Sequence, residues 1–364
     1  MNICLIGFGI PSLILANILA KKNIKISIFD EGKTKNNSSS RTIGITKNNI
    51  DYLKKEKIII RNKAWKINNI KIFNESLNQK ELLSFGPEND KLFSVVKNSD
   101  LTNLLKRIVK KNKLIKIIKS KKSSFYNSII KNNNSFDLVI NFNQNNKISK
   151  EIFFKRENRN YDSFAFTSLM KHRKCDNRTA YQIFTKNGPI AFLPCSNTET
   201  SIVYSFLKEK KSIPDKKIFD LIIKYNKKYF VKSFSKLEKF ELKGSLLKNY
   251  FFKNILCFGE NIHKIHPLAG QGLNMTLRDM KILSDLIDSK IDLGLPLDQS
   301  LLKEFESRTK HLNYLYVSSI DFINEFFKLD NKFKNTYSKK LFNFLDNNTL
   351  FKKYSIILAD KGLS

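Results

Sequence analysis

The sequence predicts an α/β chain in which a Rossmann-like βαβ domain carries an inserted antiparallel sheet and is followed by a helical C-terminal tail. Three features support this fold class. An apolar strand, a glycine turn and a helix open the chain, residues 151–247 are rich in strand patterns, and a second glycine-flanked helix start lies near residue 272. With 364 residues, of which 41% are hydrophobic, the chain is long enough to form two domains around sizeable cores.

The N-terminal unit follows the order strand, tight turn, helix, strand and acid. Its predicted elements are strands over 2–6 and 24–29 and a helix over 13–20. In the turn, Gly7 permits the reversal and Gly9 lets the backbone approach a pyrophosphate, while Ser12 stands where a third glycine is usual. Asp30 and Glu31 end the second strand, close to the spacing at which an acid binds a ribose hydroxyl. This order favours dinucleotide binding over an ordinary strand–helix turn.

A second segment of this kind lies between residues 255 and 287. A short apolar strand ends at Gly259 and Glu260, and Gly270-Gln271-Gly272 then opens a helix that is predicted to run to about residue 287. Glycines at a helix N-terminus let backbone N–H groups approach a ligand, and the helix dipole favours negative charge there. Together, the two segments indicate a large phosphate-bearing cofactor held at two places far apart in sequence, which is typical of a flavin enzyme.

The rest of the chain supplies the inserted sheet and further helices. Strands are predicted over 65–73, 93–96, 136–140, 180–185, 190–193 and 200–206. Helices are predicted over 47–55, 99–111, 216–228 and 301–327, and the second of these is expected to begin with a Ser or Asp cap. We assign residues 1–64, 98–150 and 248–328 to the cofactor domain, 65–97 and 151–247 to the substrate domain, and 329–364 to the tail.

The formal net charge of +33 has three interpretations. The basic residues are mostly lysines spread along a chain that is also rich in asparagine, isoleucine and phenylalanine, so a genome biased towards A/T-rich codons explains them most simply. Attraction to an anionic membrane surface is the functional alternative. Nucleic acid is disfavoured as a partner, because no nucleic-acid motif accompanies the charge and the aromatic residues fall in apolar patterns.

Cysteine usage and hydropathy indicate a cytoplasmic protein. No C-x-x-C pair occurs, and reduced, mostly buried thiols are expected for Cys4, Cys175, Cys195 and Cys257. No stretch approaches the ~20 apolar residues that span a bilayer, and the N-terminus is predicted to be a strand rather than a signal peptide. The tail from Asn331 interleaves apolar residues with lysines, as in an interfacial anchor at the inner face of the membrane, although a helix packed on the cofactor domain explains it equally well.

Several segments, in order along almost the whole chain, match one family. They are Gly7-x-Gly9, Arg41-Thr-Ile-Gly-Ile, Trp65-x-Ile-x-x-Ile, Val95/Val96-x-Asn98, Phe184-Thr-x-x-Gly-Pro-Ile-Ala-Phe-Leu-Pro194 and Gly259-x-x-x-His263-x-x-x-Pro267-x-x-Gly-Gln-Gly-x-Asn274-x-x-x-Arg-Asp279. On these matches, the chain resembles the para-hydroxybenzoate-hydroxylase-type flavoprotein monooxygenases, and within them the aromatic-ring hydroxylases of ubiquinone biosynthesis. The last two segments are the most specific.

The resemblance implies an FAD-binding domain with an inserted substrate-binding sheet. Gly7 and Gly9 would bracket the FAD pyrophosphate, and Asp30 matches the ribose acid, with adjacent Glu31 as the alternative. By the same resemblance, Arg41 matches an arginine near the flavin, and further cofactor-binding residues would be Gly259, Glu260, Gly272, Leu273 and Asn274. Glu260 occupies the usual aspartate position. The residues expected to face the reacting ring are Pro267, Gly270, Gln271 and Gly272. The backbone N–H groups of the last three suit negative charge on the reduced flavin.

The resemblance also implies the reaction. FAD, NAD(P)H as reductant and O₂ would hydroxylate a polyprenylated phenol in ubiquinone biosynthesis, and a quinone-biosynthesis complex is a further expected partner. The first alternative is a non-catalytic or weakly active FAD-binding accessory subunit of the same pathway. The second is another flavin oxidoreductase, such as a halogenase or a geranylgeranyl reductase, and a single tryptophan argues against a halogenase.

Two histidines in the last matched segment do not predict a metal site. Apart from Glu260, no carboxylate or cysteine lies near His263 and His266 in the sequence, so the ligand set is too small. His263 matches a family position and is expected to pack beside the cofactor. A base that helps to deprotonate the phenol is the alternative.

One segment departs from the family. After the strand over 136–140, the family shows Gly-Ala-Asp-Gly-x-x-Ser, a motif implicated in FAD and nicotinamide binding. This chain has Asn141-Phe-Asn143-Gln-Asn-Asn146 followed by Lys147-Ile-Ser149, so both glycines are lost and Asn143 replaces the acid. A close backbone approach that relied on glycine should be impaired. A rebuilt loop in an active enzyme, weak reduction by the nicotinamide and a non-catalytic role are three interpretations.

Overall fold

The computed structural model describes residues 1–32, 40–60, 63–75, 81–86, 92–119, 123–131, 135–208, 213–266 and 270–333. Its N-terminus forms the predicted unit, in which β1 (Asn2–Ile6) leads through the Gly7 turn to α1 (Ile10–Ala20) and β2 (Lys25–Asp30). The two strands pair in parallel, with Ile6 opposite Phe29. Every residue of α1 except Pro11 is buried, which agrees with its apolar sequence on all sides.

The other strands and helices follow in chain order. The strands are β3 (Thr42–Thr46), β4 (Ala64–Ile67), β5 (Asn69–Asn74), β6 (Glu81–Phe85), β7 (Phe93–Lys97), β8 (Ile115–Lys119), β9 (Leu138–Asn141), β10 (Arg156–His172), β11 (Thr179–Thr185), β12 (Gly188–Pro194), β13 (Glu199–Leu207), β14 (Val231–Phe234), β15 (Glu238–Leu247), β16 (Phe251–Phe252), β17 (Ile255–Cys257) and β18 (His263–Lys264). The helices are α2 (Lys47–Lys55), α3 (Asn98–Lys111), α4 (Ser123–Ile130), α5 (Lys147–Glu151), α6 (Asp215–Tyr225), α7 (Gly272–Asp292) and α8 (Gln299–Phe333).

The first sheet has six strands in the order β16–β17–β9–β1–β2–β8. Its neighbouring strands are parallel except β16, which is antiparallel to β17. The carboxyl ends of β1, β2, β9 and β17 therefore meet at one edge. Ligands of open α/β sheets bind at such an edge, where the connections on either side of a strand run in opposite directions.

The second sheet has nine strands, in the order β18–β15–β10–β13–β12–β11–β5–β6 with β14 paired to β10. Its pairs are antiparallel except β5 with β11. The strand-rich block predicted over 151–247 is therefore confirmed. A separate three-stranded antiparallel sheet, in the order β3–β7–β4, brings β3 alongside β7. The domain boundaries stay a prediction.

Two local predictions are wrong. The single strand predicted over 65–73 is two strands, because the chain changes partner at Asn68: β4 pairs with β7, whereas β5 pairs with β11. The backbone N–H groups of Asn68 and Asn69 both donate to the Arg178 carbonyl oxygen at this change. The helix predicted from residue 99 begins at Asn98 with Lys97 as its N-cap, and neither Ser99 nor Asp100 caps it.

Most apolar side chains lie in two cores. The larger one surrounds the first sheet and includes α1, α7 and the start of α8, and the second packs α6 against the second sheet through Ile218, Ile222 and Tyr225. All four cysteines are free; Cys4 and Cys257 are buried, whereas Cys175 and Cys195 are half-buried. Among the described helices, none combines the length and the apolarity that crossing a membrane requires. The predicted tail, from residue 334 onwards, lies outside the described residues.

Gly188→Ala should destabilise the second sheet. Gly188 has a φ of +121°, and a Cβ placed on it would lie 2.2 Å from the carbonyl oxygen of Ser205 on β13. Because both the backbone conformation and the close approach oppose a side chain, we expect the free energy of unfolding to fall by about 3 kcal/mol in urea titrations. Gly294→Ala is the matched control: its φ is +66° and nothing lies within 4 Å of the added Cβ. Equal losses in the two variants would contradict the role of the close approach.

Candidate cofactor site

The predicted glycine turn lies at the carboxyl edge of the first sheet. Gly7 has a φ of +118°, and its N–H donates to the Phe29 carbonyl oxygen at 3.0 Å, which fixes the turn against β2. Gly9 is the N-cap of α1, and no side chain caps this helix start. Beyond its chain neighbours, a Cβ placed on Gly9 would meet only Cδ of Pro11 within 4 Å, at 3.8 Å. The start of α1 is therefore open to an anionic ligand.

The two candidate ribose acids have different surroundings at this edge. Asp30 ends β2, and its Oδ1 accepts a hydrogen bond from the Gly32 backbone N–H at 2.9 Å. The carboxylate of Glu31 accepts a hydrogen bond from the side-chain amide of Asn143, which follows β9. Both acids are half-buried. The structure thus brings both of them beside the Gly7 turn, with Glu31 directed at the neighbouring strand end.

The second glycine segment reaches the same edge from β17. A 3₁₀ turn, Gly259–Asn261, follows this strand, and Gly259 has a φ of +63°. Glu260 is exposed, whereas Asn261 is fully buried and its amide donates to the Asn141 carbonyl oxygen at 3.0 Å. Asn261 therefore holds the turn to β9, while the Glu260 side chain extends away from the protein interior and is available to a ligand.

The helix that follows begins without a cap. Gln271 is the N-cap residue of α7 and makes no side-chain cap, and its Oε1 is buried without a hydrogen-bond partner in the described part of the chain. Gly270 has a φ of +63°, and a Cβ on it would lie 3.6 Å from the backbone nitrogen of Gly44 in β3. Among the described residues, a Cβ on Gly272 would meet only Cγ1 of Ile265, at 4.0 Å. The described part of the protein therefore leaves room on the glycine side of the first turn of α7.

Three further residues are predicted for the ring-facing loop, and the structure describes two of them. Pro267 lies outside the described residues, and Leu273 is half-buried against the larger core. The Asn274 side chain is engaged within the protein: its Nδ2 donates to the Gly44 carbonyl oxygen at 2.9 Å, and its Oδ1 accepts from the Thr46 N–H at 3.1 Å and from the Asn49 amide at 3.0 Å. Asn274 thus ties the start of α7 to β3 and α2.

Arg41 lies just before β3 and faces the second sheet. Its guanidinium carbon lies 4.5 Å from the ring centroid of Phe240 on β15. Its Nε is buried and has no hydrogen-bond partner among the described residues. A buried donor without a partner costs about 1–3 kcal/mol. An anionic ligand at this position would satisfy the donor and would suit the permanent charge of the guanidinium.

A buried network that the sequence did not predict holds the strand leading to the loop. Nε2 of His263 and Oδ2 of Asp279 on α7 are 2.9 Å apart, and the Asn313 amide of α8 donates to the same carboxylate oxygen at 3.1 Å. Asp279 ends a matched segment, which could have indicated its importance. Asn313 lies in a helix predicted only from its apolar pattern, so nothing in the sequence pointed to it.

A second network surrounds Tyr161 of β10. Its Oη donates to Oδ1 of Asp321 on α8 at 2.8 Å, and Asp321 also pairs with Arg159. The Tyr161 ring meets the His266 imidazole edge to face, with centroids 4.9 Å apart. Burial raises the pKa of Tyr161, which keeps the phenol protonated and therefore a donor. Because His266 directly precedes Pro267, the network links the predicted ring-facing loop to α8.

Taken together, these groups fit a flavin dinucleotide. The starts of α1 and α7 lack side-chain caps. Within the described residues, a Cβ on Gly9 or Gly272 would have room, and buried polar atoms of Arg41 and Gln271 have no partner. Phosphate groups bind at uncapped helix N-termini, and a flavin ring with its polar edge suits donors and acceptors held in a buried site. Among the described residues, no group of three or more His, Cys, Asp or Glu could hold a metal ion.

Comparisons with known proteins identify relatives among the hydroxylases of ubiquinone biosynthesis. No protein-family model matches the chain. The chain is 27% identical to the ubiquinone biosynthesis monooxygenase COQ6 of Dictyostelium discoideum, over 48% of this chain and 39% of that protein. It is 24% identical to the ubiquinone hydroxylase UbiL of Rhodospirillum rubrum, over 47% of this chain and 41% of that protein. The chain thus spans less than half of the length of these relatives, and the resemblance to ubiquinone-biosynthesis hydroxylases is confirmed.

The fold is shared with solved flavoproteins. The p-nitrophenol 4-monooxygenase PnpA of Pseudomonas putida DLL-E4 matches with a TM-score of 0.79 at 10% identity, over 100% of this chain and 98% of that chain. PqsL of Pseudomonas aeruginosa, a probable FAD-dependent monooxygenase, matches with a TM-score of 0.70 at 12% identity, over 94% and 99% of the two chains. At such identities the likeness establishes the fold alone. The predicted Rossmann-like fold with an inserted sheet is confirmed.

Asn274→Ala should destabilise the protein even without a cofactor. It removes the partners of the Gly44 carbonyl, the Thr46 N–H and the Asn49 amide. We expect the free energy of unfolding of the flavin-free protein to fall by about 2–4 kcal/mol in urea titrations, since buried polar groups would lose their partners.

Asn103→Ala is the control for this experiment, because Asn103 is exposed on α3. Its change should stay within about 0.5 kcal/mol. A loss for Asn274→Ala no larger than that of Asn103→Ala would show that the Asn274 hydrogen bonds do not hold α7 to β3.

Proposed function

We propose that the protein is an FAD-dependent monooxygenase that uses NAD(P)H and O₂ to hydroxylate a polyprenylated phenol in ubiquinone biosynthesis. One observation carries this proposal. Two helix starts without side-chain caps, one after β1 and one at α7, lie at the edge of the parallel sheet and have room at their glycines among the described residues, and the Arg41 guanidinium packs on Phe240 of the second sheet. The named relatives supply the reaction and the pathway.

Each residue has a role in this proposal. The turn at Gly7 and Gly9 binds the FAD pyrophosphate, an acid after β2 binds the adenosine ribose, and the exposed Glu260 carboxylate after Gly259 binds the ribityl chain. Arg41 offers its unpartnered Nε to the cofactor. The ring lies against the segment that contains Pro267, Gly270, Gln271, Gly272, Leu273 and Asn274.

Bound FAD supplies the redox chemistry of oxygen transfer, with electrons from NAD(P)H. This chain contributes position and electrostatics. The backbone N–H groups at the start of α7 point towards the proposed ring edge, where the helix dipole favours negative charge. Asn274 fixes that helix start to β3, and the Tyr161 network fixes the segment before it. Donors held in advance in this way need no rearrangement when charge develops.

The surroundings of the site suit an apolar aromatic substrate. One apolar cluster on the second sheet contains Tyr161, Ala165 and Leu242, with Phe240 packed against it. Another joins Leu246 of β15, Met275 of α7 and Val317 of α8. Met275 is three residues after Gly272, so the protein interior beside the proposed ring position is apolar. Apolar surroundings exclude water from the reacting ring.

A peripheral contact with an anionic membrane also belongs to this proposal, since a polyprenylated phenol dissolves in the bilayer. The chain carries a net charge of +33. On α8, Leu315 and Phe322 are 50% and 70% exposed, and their spacing of seven residues puts them on one side of the helix. Exposed apolar side chains on a chain of high positive charge suit interfacial binding at the inner face of a membrane.

The proposal is tested by anaerobic reduction of the FAD-loaded protein with NADPH or NADH, followed at the flavin absorbance with and without a prenylated phenol. Bleaching that the phenol accelerates supports the monooxygenase. A protein that binds FAD but stays oxidised favours the accessory subunit, which the glycine-free loop after β9 would suit. A protein that binds no flavin overturns the proposal.

Gly272→Val should abolish FAD retention without unfolding the protein. Among the described residues, a Cβ at this position meets only Ile265, at 4.0 Å, so we expect the new side chain to occupy the space assigned to the cofactor. We expect FAD affinity to fall at least about a hundredfold in fluorescence titrations, while the unfolding free energy of the flavin-free protein changes by no more than about 1 kcal/mol. Unchanged flavin content would remove Gly272 from the site.

Vesicle binding should depend on lipid charge and on α8. We expect co-sedimentation with phosphatidylglycerol vesicles at low salt, weaker binding at high salt and none with phosphatidylcholine alone. Combined Leu315→Ser and Phe322→Ser should reduce the bound fraction at least about threefold. Ile59→Ser is the matched control, because Ile59 is 45% exposed at a position outside α8. Wild-type protein that binds no anionic vesicle would exclude the membrane contact.

A further inference from the structure

The loop that departs from the family is a closed hydrogen-bonded structure. In residues 141–149, the Asn143 N–H donates to Oδ1 of Asn141 at 3.1 Å, and Oγ of Ser149 donates to the Asn143 carbonyl oxygen at 2.6 Å. Asn146 caps α5 by accepting from the Ser149 N–H at 2.9 Å, and it also exchanges side-chain hydrogen bonds with Asn141. The position of the Asn143 backbone is therefore fixed from both sides.

The Asn143 side chain has one orientation in this loop. Its Oδ1 accepts a hydrogen bond from the Asn145 N–H at 2.8 Å. The amide must therefore turn its NH₂ group the other way, where it donates to the Glu31 carboxylate. We call this side-chain pair the Glu31–Asn143 clasp.

The clasp crosses the end of β1. Glu31 follows β2, Asn143 follows β9, and β1 lies between these strands. The Phe142 N–H donates to the Ile6 carbonyl oxygen at 2.9 Å, and a Cβ on Gly7 would lie 3.3 Å from Cβ of Phe142. The clasp therefore spans the point where the dinucleotide turn begins, and it fixes the Glu31 carboxylate beside that turn.

The chemistry of the pair requires an amide. An aspartate at residue 143, as in the family motif, would lose the donor and would place a second carboxylate against Glu31. Two carboxylates in contact repel each other, and one of them tends to take up a proton. Asparagine has nearly the same shape, donates to Glu31 and adds no second negative charge beside that carboxylate.

We infer that Asn143 is a positioning residue which holds Glu31 as the acid that binds the ribose of the adenosine half of FAD. Asp30, which matches the family position, instead uses Oδ1 to shape the backbone at Gly32. This inference rests on the proposed function, because it requires FAD at the edge of the first sheet. The loop has lost both family glycines. In their place, the hydrogen bond from Asn143 positions Glu31, and Glu31 in turn binds the cofactor.

Fluorescence titrations of the flavin-free protein with FAD and with FMN test the inference, because FMN lacks the adenosine half. We expect Asn143→Ala and Glu31→Ala each to weaken FAD binding about tenfold, and Asn143→Asp to weaken it further. FMN binding should change less than about twofold in all three. Combining the two alanine substitutions should cost no more than Glu31→Ala alone, since Asn143 acts through Glu31.

Two control variants and one stability measurement complete the design. Asn145→Ala, at the exposed neighbour, should leave FAD binding unchanged, and Asp30→Ala should cost less than Glu31→Ala. Urea titrations of each flavin-free variant identify any general loss of folding. Additive effects of Asn143→Ala and Glu31→Ala, an equal loss of FMN binding, or a larger effect of Asp30→Ala would overturn the inference. Wild-type protein that binds neither flavin would instead overturn the proposed function on which the inference rests.

Discussion

The parallel register of the first sheet is the constraint on which the site depends. Ile6 of β1 lies opposite Phe29 of β2 on one side and Asn141 of β9 on the other. The residues that follow these three positions therefore lie side by side at the carboxyl edge of the first sheet, although they come from distant parts of the chain. A shift of one residue in either pairing would turn each following side chain to the opposite face and would separate Glu31 from Asn143.

The loop after β9 contains several asparagines at the place where the family motif has two glycines. An amide carries both a donor and an acceptor, so several amides can satisfy one another in a buried place without adding net charge. Asn261 extends this arrangement to the second glycine segment, and Arg156 donates to its carbonyl oxygen at 2.6 Å. The loop is therefore well defined without its glycines, which agrees better with a rebuilt site than with a degraded one.

Local features of the fold could be predicted from the sequence, whereas distant contacts could not. Apolar periodicity and glycine spacing gave the N-terminal βαβ unit, and α2 occupies the predicted residues 47–55. The same reasoning predicted β4 and β5 as one strand. Alternation of apolar and polar residues indicates an extended segment, but it does not identify the neighbouring strand with which each part pairs. The hydrogen bond between Tyr161 and Asp321 joins residues 160 positions apart, so no local sequence pattern could predict it. Likewise, the sequence left Asp30 and Glu31 as alternatives, since only the loop after β9 distinguishes them.

Gly244 makes room for the contact between Tyr161 near the proposed site and Asp321 on α8. A Cβ there would lie 2.7 Å from Oη of Tyr161, so glycine is needed for the phenol to reach Asp321 on α8. Asp321 directly precedes Phe322, which is 70% exposed. One turn of α8 therefore carries, on its inner side, the acid that holds Tyr161 against His266 and, on its outer side, apolar surface. Asp321 and Tyr161 thus place this exposed turn two side-chain contacts away from His266, the residue that directly precedes Pro267.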